Sequence, residues 1–180
     1  MIVLIVGDFC VGKDVVCDMM CDYIGYDPKY DDYTVAKIQS YTTRLPRYEG
    51  ENTHTFCTEK AFDAFDDIIA MTVIDGKKYG ARLSQFHLDE ENHFDLYVVD
   101  PKGVYDIVHS GIDADYIHTV EVIRPKWLRK CTEERMERES DFNITPIDYN
   151  VSYRIINDGD LAKLRRLVEE CIDFLCKKYL

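Results

Sequence analysis

No apolar run in this chain approaches the roughly 20 residues that span a bilayer, so a membrane is not expected among its partners. Basic residues are also scarce: 22 against 34 acidic ones, a net charge of −12. That balance argues against duplex nucleic acid or an anionic membrane surface as the main partner. There is no C-x-x-C pair, and the seven cysteines (Cys10, Cys17, Cys21, Cys57, Cys131, Cys171 and Cys176) are odd in number. A cysteine zinc site or a disulfide framework is therefore not expected, and buried or half-buried reduced thiols are. Repeats, low-complexity tracts and flexible linkers are missing too. The first six residues are too short for a signal-peptide core and carry no basic prelude, so a cytoplasmic location is expected. At 180 residues and 21.1 kDa the chain can bury one core, with room for small inserted lobes.

What the sequence does have begins at its amino end. Met1-Ile-Val-Leu-Ile-Val6 reads as a buried strand and feeds directly into Gly7-Asp8-Phe9-Cys10-Val11-Gly12-Lys13. A helix is expected from Asp14 to Tyr23, with Val15, Val16, Met19, Met20 and Tyr23 on one side. Strand, glycine-pinned turn and helix together make a phosphate-binding loop. The glycines let successive N–H groups converge on one anion, the helix offers its positive end, and Lys13 adds a mobile charge. The pattern places Gly7 through Val15 around a nucleotide phosphate. It departs from the motif at Asp14, where a magnesium-ligating Ser or Thr is usual. A carboxylate there can hold the ion directly or through water, although it brings negative charge near the phosphates.

Further along, Tyr33–Ile38, Phe94–Asp100, Tyr116–Ile123 and Tyr149–Ile156 read as strands. Helices are expected after Pro101, after Pro125 as far as about Ser140, and over Leu161–Leu175. Between residues 41 and 83 the alternation is interrupted. A short strand is expected at His54–Cys57, a helix through Phe62, Phe65 and Ile69, and a hairpin turning at Asp75-Gly76. Strands alternating with helices give an α/β protein with a parallel sheet, carrying a small α+β insert.

The insert opens with Ser40-Tyr41-Thr42-Thr43-Arg44-Leu45-Pro46-Arg47. Two arginines three apart, flanked by hydroxyls and stiffened by proline, suit a second phosphate. The same residues also suit a solvated loop whose arginines pair with surface acids.

These segments, with Gly50-Glu51 and Lys78-Tyr79-Gly80, resemble the guanylate kinase signature S-x-T-T-R-x-P-R-x-G-E…Y-x-F…Y-Y-G. Val98-Val99-Asp100-Pro-Lys-Gly103-Val104 is similar to that family's D-x-D-x-Q-G-V, and Arg154–Asp158 to the end of its last strand. The resemblance covers nearly the whole chain. It implies a three-layer P-loop NTPase fold with a core of 1–39, 84–124 and 141–180, a nucleoside-monophosphate lobe of 40–83 and a short helical lid of 125–140. It implies ATP and Mg²⁺ as cofactors and small-molecule nucleotides as substrates, in a monomer or homodimer. Ser40, Arg44, Arg47, Glu51 and Tyr79 fall on acceptor-binding positions, and His54 stands where a phosphate-binding tyrosine is usual. Asn157 falls near the adenine, Asp14 and Asp100 near the metal, and Lys13, Arg135 and Arg138 among the catalytic cations. The lid arginines have an alternative in a solvated helix neutralised by Glu133, Glu134, Glu137 and Glu139.

The base pocket departs from the family. Ala70, Ala81 and Val98 replace its polar guanine-reading groups, with Asp66, Asp67, Thr72 and Ser84 as candidate substitutes. The expected activity is transfer of the ATP γ-phosphate to a (deoxy)nucleoside 5′-monophosphate, GMP or dGMP by family, in a divergent enzyme of viral or phage type. The alternative is a silent guanylate-kinase-like module that binds a protein or phosphopeptide.

Overall fold

The computed structural model describes residues 1–130 and 149–179. Two sheets organise it. The main one is five-stranded and wholly parallel, in the order β2 (Thr34–Ile38), β7 (His93–Val98), β1 (Ile2–Val6), β8 (Ile117–Ile123) and β9 (Tyr153–Ile156). All five residues of β1 are buried because helices cover both faces of the sheet. Val3 and Ile5 face a core shared with Val16 and Met20 of α1 (Lys13–Tyr26) and with Val168, Ile172 and Leu175 of α4 (Leu161–Tyr179). Ile2, Leu4 and Val6 face the other core, with Val104 and Ile107 of α3 (Pro101–Val108).

α1 runs three residues beyond its expected end and turns Val16, Met19 and Met20 inward as expected, with the buried face shifted at its edges. Val15 is exposed, whereas Cys17 and Ile24 are buried. Asp173 of α4 ties the two helices to the turn after α1. Its carboxylate accepts from Tyr30 Oη at 2.6 Å, from Tyr23 Oη at 3.2 Å and from Lys29. Burial pushes the Tyr23 hydroxyl up to about 12. Cys17, Cys21, Cys57, Cys171 and Cys176 are free thiols, as expected. Cys10, half-buried on the phosphate loop where a thiol stays accessible, is instead disulfide-bonded.

The insert forms a second, four-stranded sheet in the order β4 (Thr55–Phe56), β3 (Tyr41–Thr42), β6 (Lys77–Arg82) and β5 (Ile68–Ile74). The helix expected through Ile69 stops at Asp63 (α2, Glu59–Asp63), capped at its start by Thr58 Oγ1 accepting from Ala61 N–H. Ile69 belongs to β5, which bulges at Ala70 (φ +56°). That bulge rests on α3 at Gly103, where a Cβ would lie 2.3 Å from Val99 Cγ2 and 3.1 Å from Ala70 Cβ. Within the described part of the helix expected after Pro125 there is a 3₁₀ turn, Lys126–Leu128, with extended backbone at Arg129. The remainder of the expected lid, with Arg135 and Arg138, lies outside the described residues. Among the described residues no helix is long and apolar enough to cross a membrane.

Gly103→Ala overpacks the seam between the insert and the main sheet. It is expected to lower stability by about 1–3 kcal/mol, a melting-temperature loss on the order of 2–12 °C for a chain of this size, measured by thermal unfolding.

Candidate active site

The turn after β1 begins at Gly7, whose φ of +152° and close approach to Val122 exclude a side chain. It ends at Gly12, left-handed at φ +96°, which caps α1. Behind the turn, Asn157 Nδ2 donates to the Val11 carbonyl at 2.8 Å while its Oδ1 accepts from Arg124 Nη1 at 2.7 Å. Asn157, expected near the adenine, is buried behind the loop and is not among the residues lining the cavity. Lys13 folds back over the loop and donates to the carbonyls of Gly7 (2.8 Å) and Asp8 (2.7 Å). Burial lowers its pKa, while Asp14, Asp8 and Asp100 act in the opposite sense. A partly desolvated ammonium lying on two neutral carbonyls gains charge-assisted bonds by exchanging them for phosphate oxygens.

The insert supplies a second cationic cradle. Glu51, expected as a substrate contact, is instead its internal counter-ion. Its carboxylate accepts from Arg44 Nη2 (2.8 Å) and Nη1 (3.0 Å), from the Arg47 N–H (2.6 Å) and from Thr53 Oγ1 (2.8 Å). The Arg44 guanidinium, then the Arg47 amide, hold its carboxyl far below the usual carboxylate range. Arg44 also lies 5.1 Å over the Phe56 ring, and its buried Nε has no hydrogen-bond partner. An orphaned donor on a buried guanidinium is costly unless an anion completes it. The hydroxyls of Thr42 and Thr43 are spent on backbone, accepting from Arg44 and Lys78 N–H groups. They shape the loop instead of meeting a ligand.

Both cradles open into one cavity of about 920 Å³. Gly7, Asp8, Phe9, Val11 and Lys13 line it from the loop, and Ser40, Arg44, Arg47, His54 and Tyr79 from the insert. Asp100 lines it at the end of β7, with Oδ1 accepting from Gly103 N–H at 2.8 Å. His54 packs edge-on against Tyr79 at 5.6 Å. Burial, and then Arg44, lower its pKa, which favours a neutral imidazole. Cys10, Gly12, Asp14, Val15 and Glu51 do not line the cavity, and Asp14 is exposed on the first turn of α1.

Further residues line the cavity beyond the expected nucleotide and acceptor contacts, among them Tyr97, Glu121, Tyr149 and Arg129, the last within the expected lid. Tyr97, buried in an apolar strand, bonds Ser40 Oγ at 2.8 Å, and burial pushes its hydroxyl up to about 12. Arg129, with a side chain 10% exposed, donates from Nη2 to Asp8 Oδ2 at 2.7 Å and reaches the cavity from extended backbone. Both were readable in part: Tyr97 lies near the carboxyl end of an expected strand, and Arg129 follows a proline-led turn. Ala70 and Val98 line the cavity, whereas the candidate base-readers Asp66, Asp67, Thr72 and Ser84 do not. Asp67 is committed to Arg82 Nε (2.7 Å) and the Ser84 N–H (3.1 Å), which hold its carboxyl at about 2.

Glu51→Gln removes the charge that orients Arg44. A folded-state carboxyl held below its unfolded value contributes stability above the unfolded pKa and loses it as pH falls through the folded one. The parent should therefore lose melting temperature between about pH 5 and pH 2 more steeply than Glu51→Gln does, as read by thermal unfolding across that range.

No protein-family model matches the chain, and no curated protein matches it in sequence. Among solved structures it is similar to the guanylate kinase from Anaplasma phagocytophilum, at a TM-score of 0.67 and 16% identity over all of this chain and 86% of that one. The chain thus has the fold of a P-loop kinase like guanylate kinase.

Proposed function

We propose that the protein is an ATP-dependent nucleoside monophosphate kinase that transfers the γ-phosphate to a (deoxy)nucleoside 5′-monophosphate. The observation that carries this reading is the single cavity shared by the phosphate loop and the Arg44–Arg47 cradle. Phosphoryl transfer asks little covalent chemistry of a protein. It asks for two anions held in line, water excluded and the developing charge neutralised. Lys13 and the loop amides hold the donor phosphates. Arg44, Arg47, Ser40, Tyr79 and a neutral His54 hold the acceptor phosphate, with Glu51 positioning Arg44. Arg129, braced by Asp8, supplies a further cation in the cleft.

A magnesium ion fits the donor set, because a hard cation keeps several waters and needs one or two carboxylates besides phosphate oxygens. Asp100, on the cavity wall, would hold it together with phosphate oxygens and water, and it would neutralise phosphate charge; Asp14, exposed and off the cavity wall, could act only through water. At the base end, Ala70, Val98 and Ile74 present apolar surface. Guanine read through a carboxylate therefore gives way to recognition by shape. The expected acceptor is GMP or dGMP by the family resemblance, with weaker discrimination among bases than a site of paired polar groups gives.

ADP release from ATP should be measured with a panel of ribo- and deoxyribonucleoside monophosphates. Turnover with at least one of them is expected. Lys13→Ala should reduce kcat by about 10²–10³-fold. Arg44→Ala should raise the acceptor KM about 10- to 150-fold, the loss of one charged hydrogen-bonding group. No turnover with any monophosphate, together with phosphopeptide binding that depends on Arg44, would show a binding module instead.

A further inference from the structure

We propose that His87, His93 and Asp95 form a site for one divalent transition-metal ion of the imidazole-preferring class, at the end of the main sheet away from the kinase cleft. Among the described residues they are the one group of three or more such side chains whose ligand atoms converge, all within 4.8 Å of one another. β7 begins at His93, and Asp95 pairs with Ile2 at the start of β1, whereas the phosphate loop leaves the opposite end of β1. The site is independent of the kinase reading.

His87 Nδ1 lies 2.8 Å and His93 Nε2 3.2 Å from the same oxygen, Asp95 Oδ1. Tetrahedral ligands on bonds of about 2.0–2.1 Å are separated by roughly 3.3 Å, so small side-chain shifts would seat an ion among them. The outer atoms are arranged as metal ligands require. His93 Nδ1 bonds Thr34 Oγ1 at 2.6 Å, which fixes the ring and can take its proton, turning the Nε2 lone pair inward. Asp95 Oδ2 accepts the His87 N–H at 2.7 Å, which orients the carboxylate.

Burial makes the case stronger than proximity alone. The Asp95 and His93 side chains are only 2% and 6% exposed, while His87, at 39%, leaves an entry path. A separate cavity of about 260 Å³ touches His87 and Asp95 and is also lined by Asp113 and Tyr116. It offers space for a fourth ligand such as water. Two imidazoles and one carboxylate select zinc, cobalt, nickel or iron over magnesium and calcium. An ion there would clamp the turn between β6 and β7 onto the sheet and should raise thermal stability.

The test is a cobalt(II) titration of the reduced, nucleotide-free protein, followed by its visible d–d absorption. One equivalent is expected to bind without a thiolate charge-transfer band and to be displaced by zinc, and zinc should raise the melting temperature. His87→Ala, at the most exposed ligand, should weaken binding at least 10-fold, and Thr34→Val about 10- to 100-fold. Absence of one-equivalent binding overturns the proposal and leaves a hydrogen-bonded His–Asp–His array. A thiolate band, or affinity unchanged in His87→Ala, overturns it by placing the metal elsewhere.

Discussion

A side chain on Gly7 would put its Cβ 2.3 Å from the Val122 carbonyl oxygen, and this close approach sets the geometry of the cleft. It lets the turn after β1 lie directly on β8, so the loop inherits the rigidity of the central sheet. Asn157 completes the support. Its backbone N–H donates to the Ile123 carbonyl at 2.7 Å, and its side chain reaches forward to Val11. Both contacts come from the carboxyl ends of parallel strands, where an open α/β sheet places its ligand crevice. A loop held this way needs no reorganisation when an anion arrives, which is the condition for its amides to act at full strength.

An acidic protein must concentrate its cations to bind anions, and here acids do the concentrating. Glu51 is buried so that Arg44 cannot leave, and Asp8 braces Arg129. Each pairing lowers the net charge of the cleft but fixes a guanidinium that would otherwise sample many rotamers. Arg44 illustrates the balance. Two of its nitrogens are satisfied by Glu51, and Nε remains without a partner although buried. The pairing thus orders the arginine while leaving it able to bind.

The main-sheet strands, the glycine-bounded turn after β1 and the arginine-bearing loop of the insert were legible because each carries local chemistry: an apolar run, glycines at a turn, arginines beside a proline. What the sequence hid was set by distant partners. Phe62, Phe65 and Ile69 fit helical spacing, but the chain leaves the helix after Asp63, and β5 takes Ile69 to pair with Ala81. Glu51 reads as one more acceptor contact until the bidentate pair with Arg44 is seen. Asn157 reads as an adenine contact, yet its amide faces a loop 146 residues away. His87, His93 and Asp95 have no recognisable spacing, since a turn and a strand alternation bring them together.

The seam between the two sheets constrains how the cleft can work. Ile69, Ala70 and Ala81 of the insert share a core with Tyr97, Val99, Val104 and Ile107 of the main domain. Gln85 Nε2 also donates to the Gln39 carbonyl at 3.0 Å, joining the two chain crossings between the lobes. An insert that could swing freely would have to open this apolar contact to water at about 25 cal/mol per Å². The insert is therefore docked on the main sheet through the packing of Gly103 against Ala70. The relative placement of the two cationic loops that line the cavity thus follows from packing at this seam.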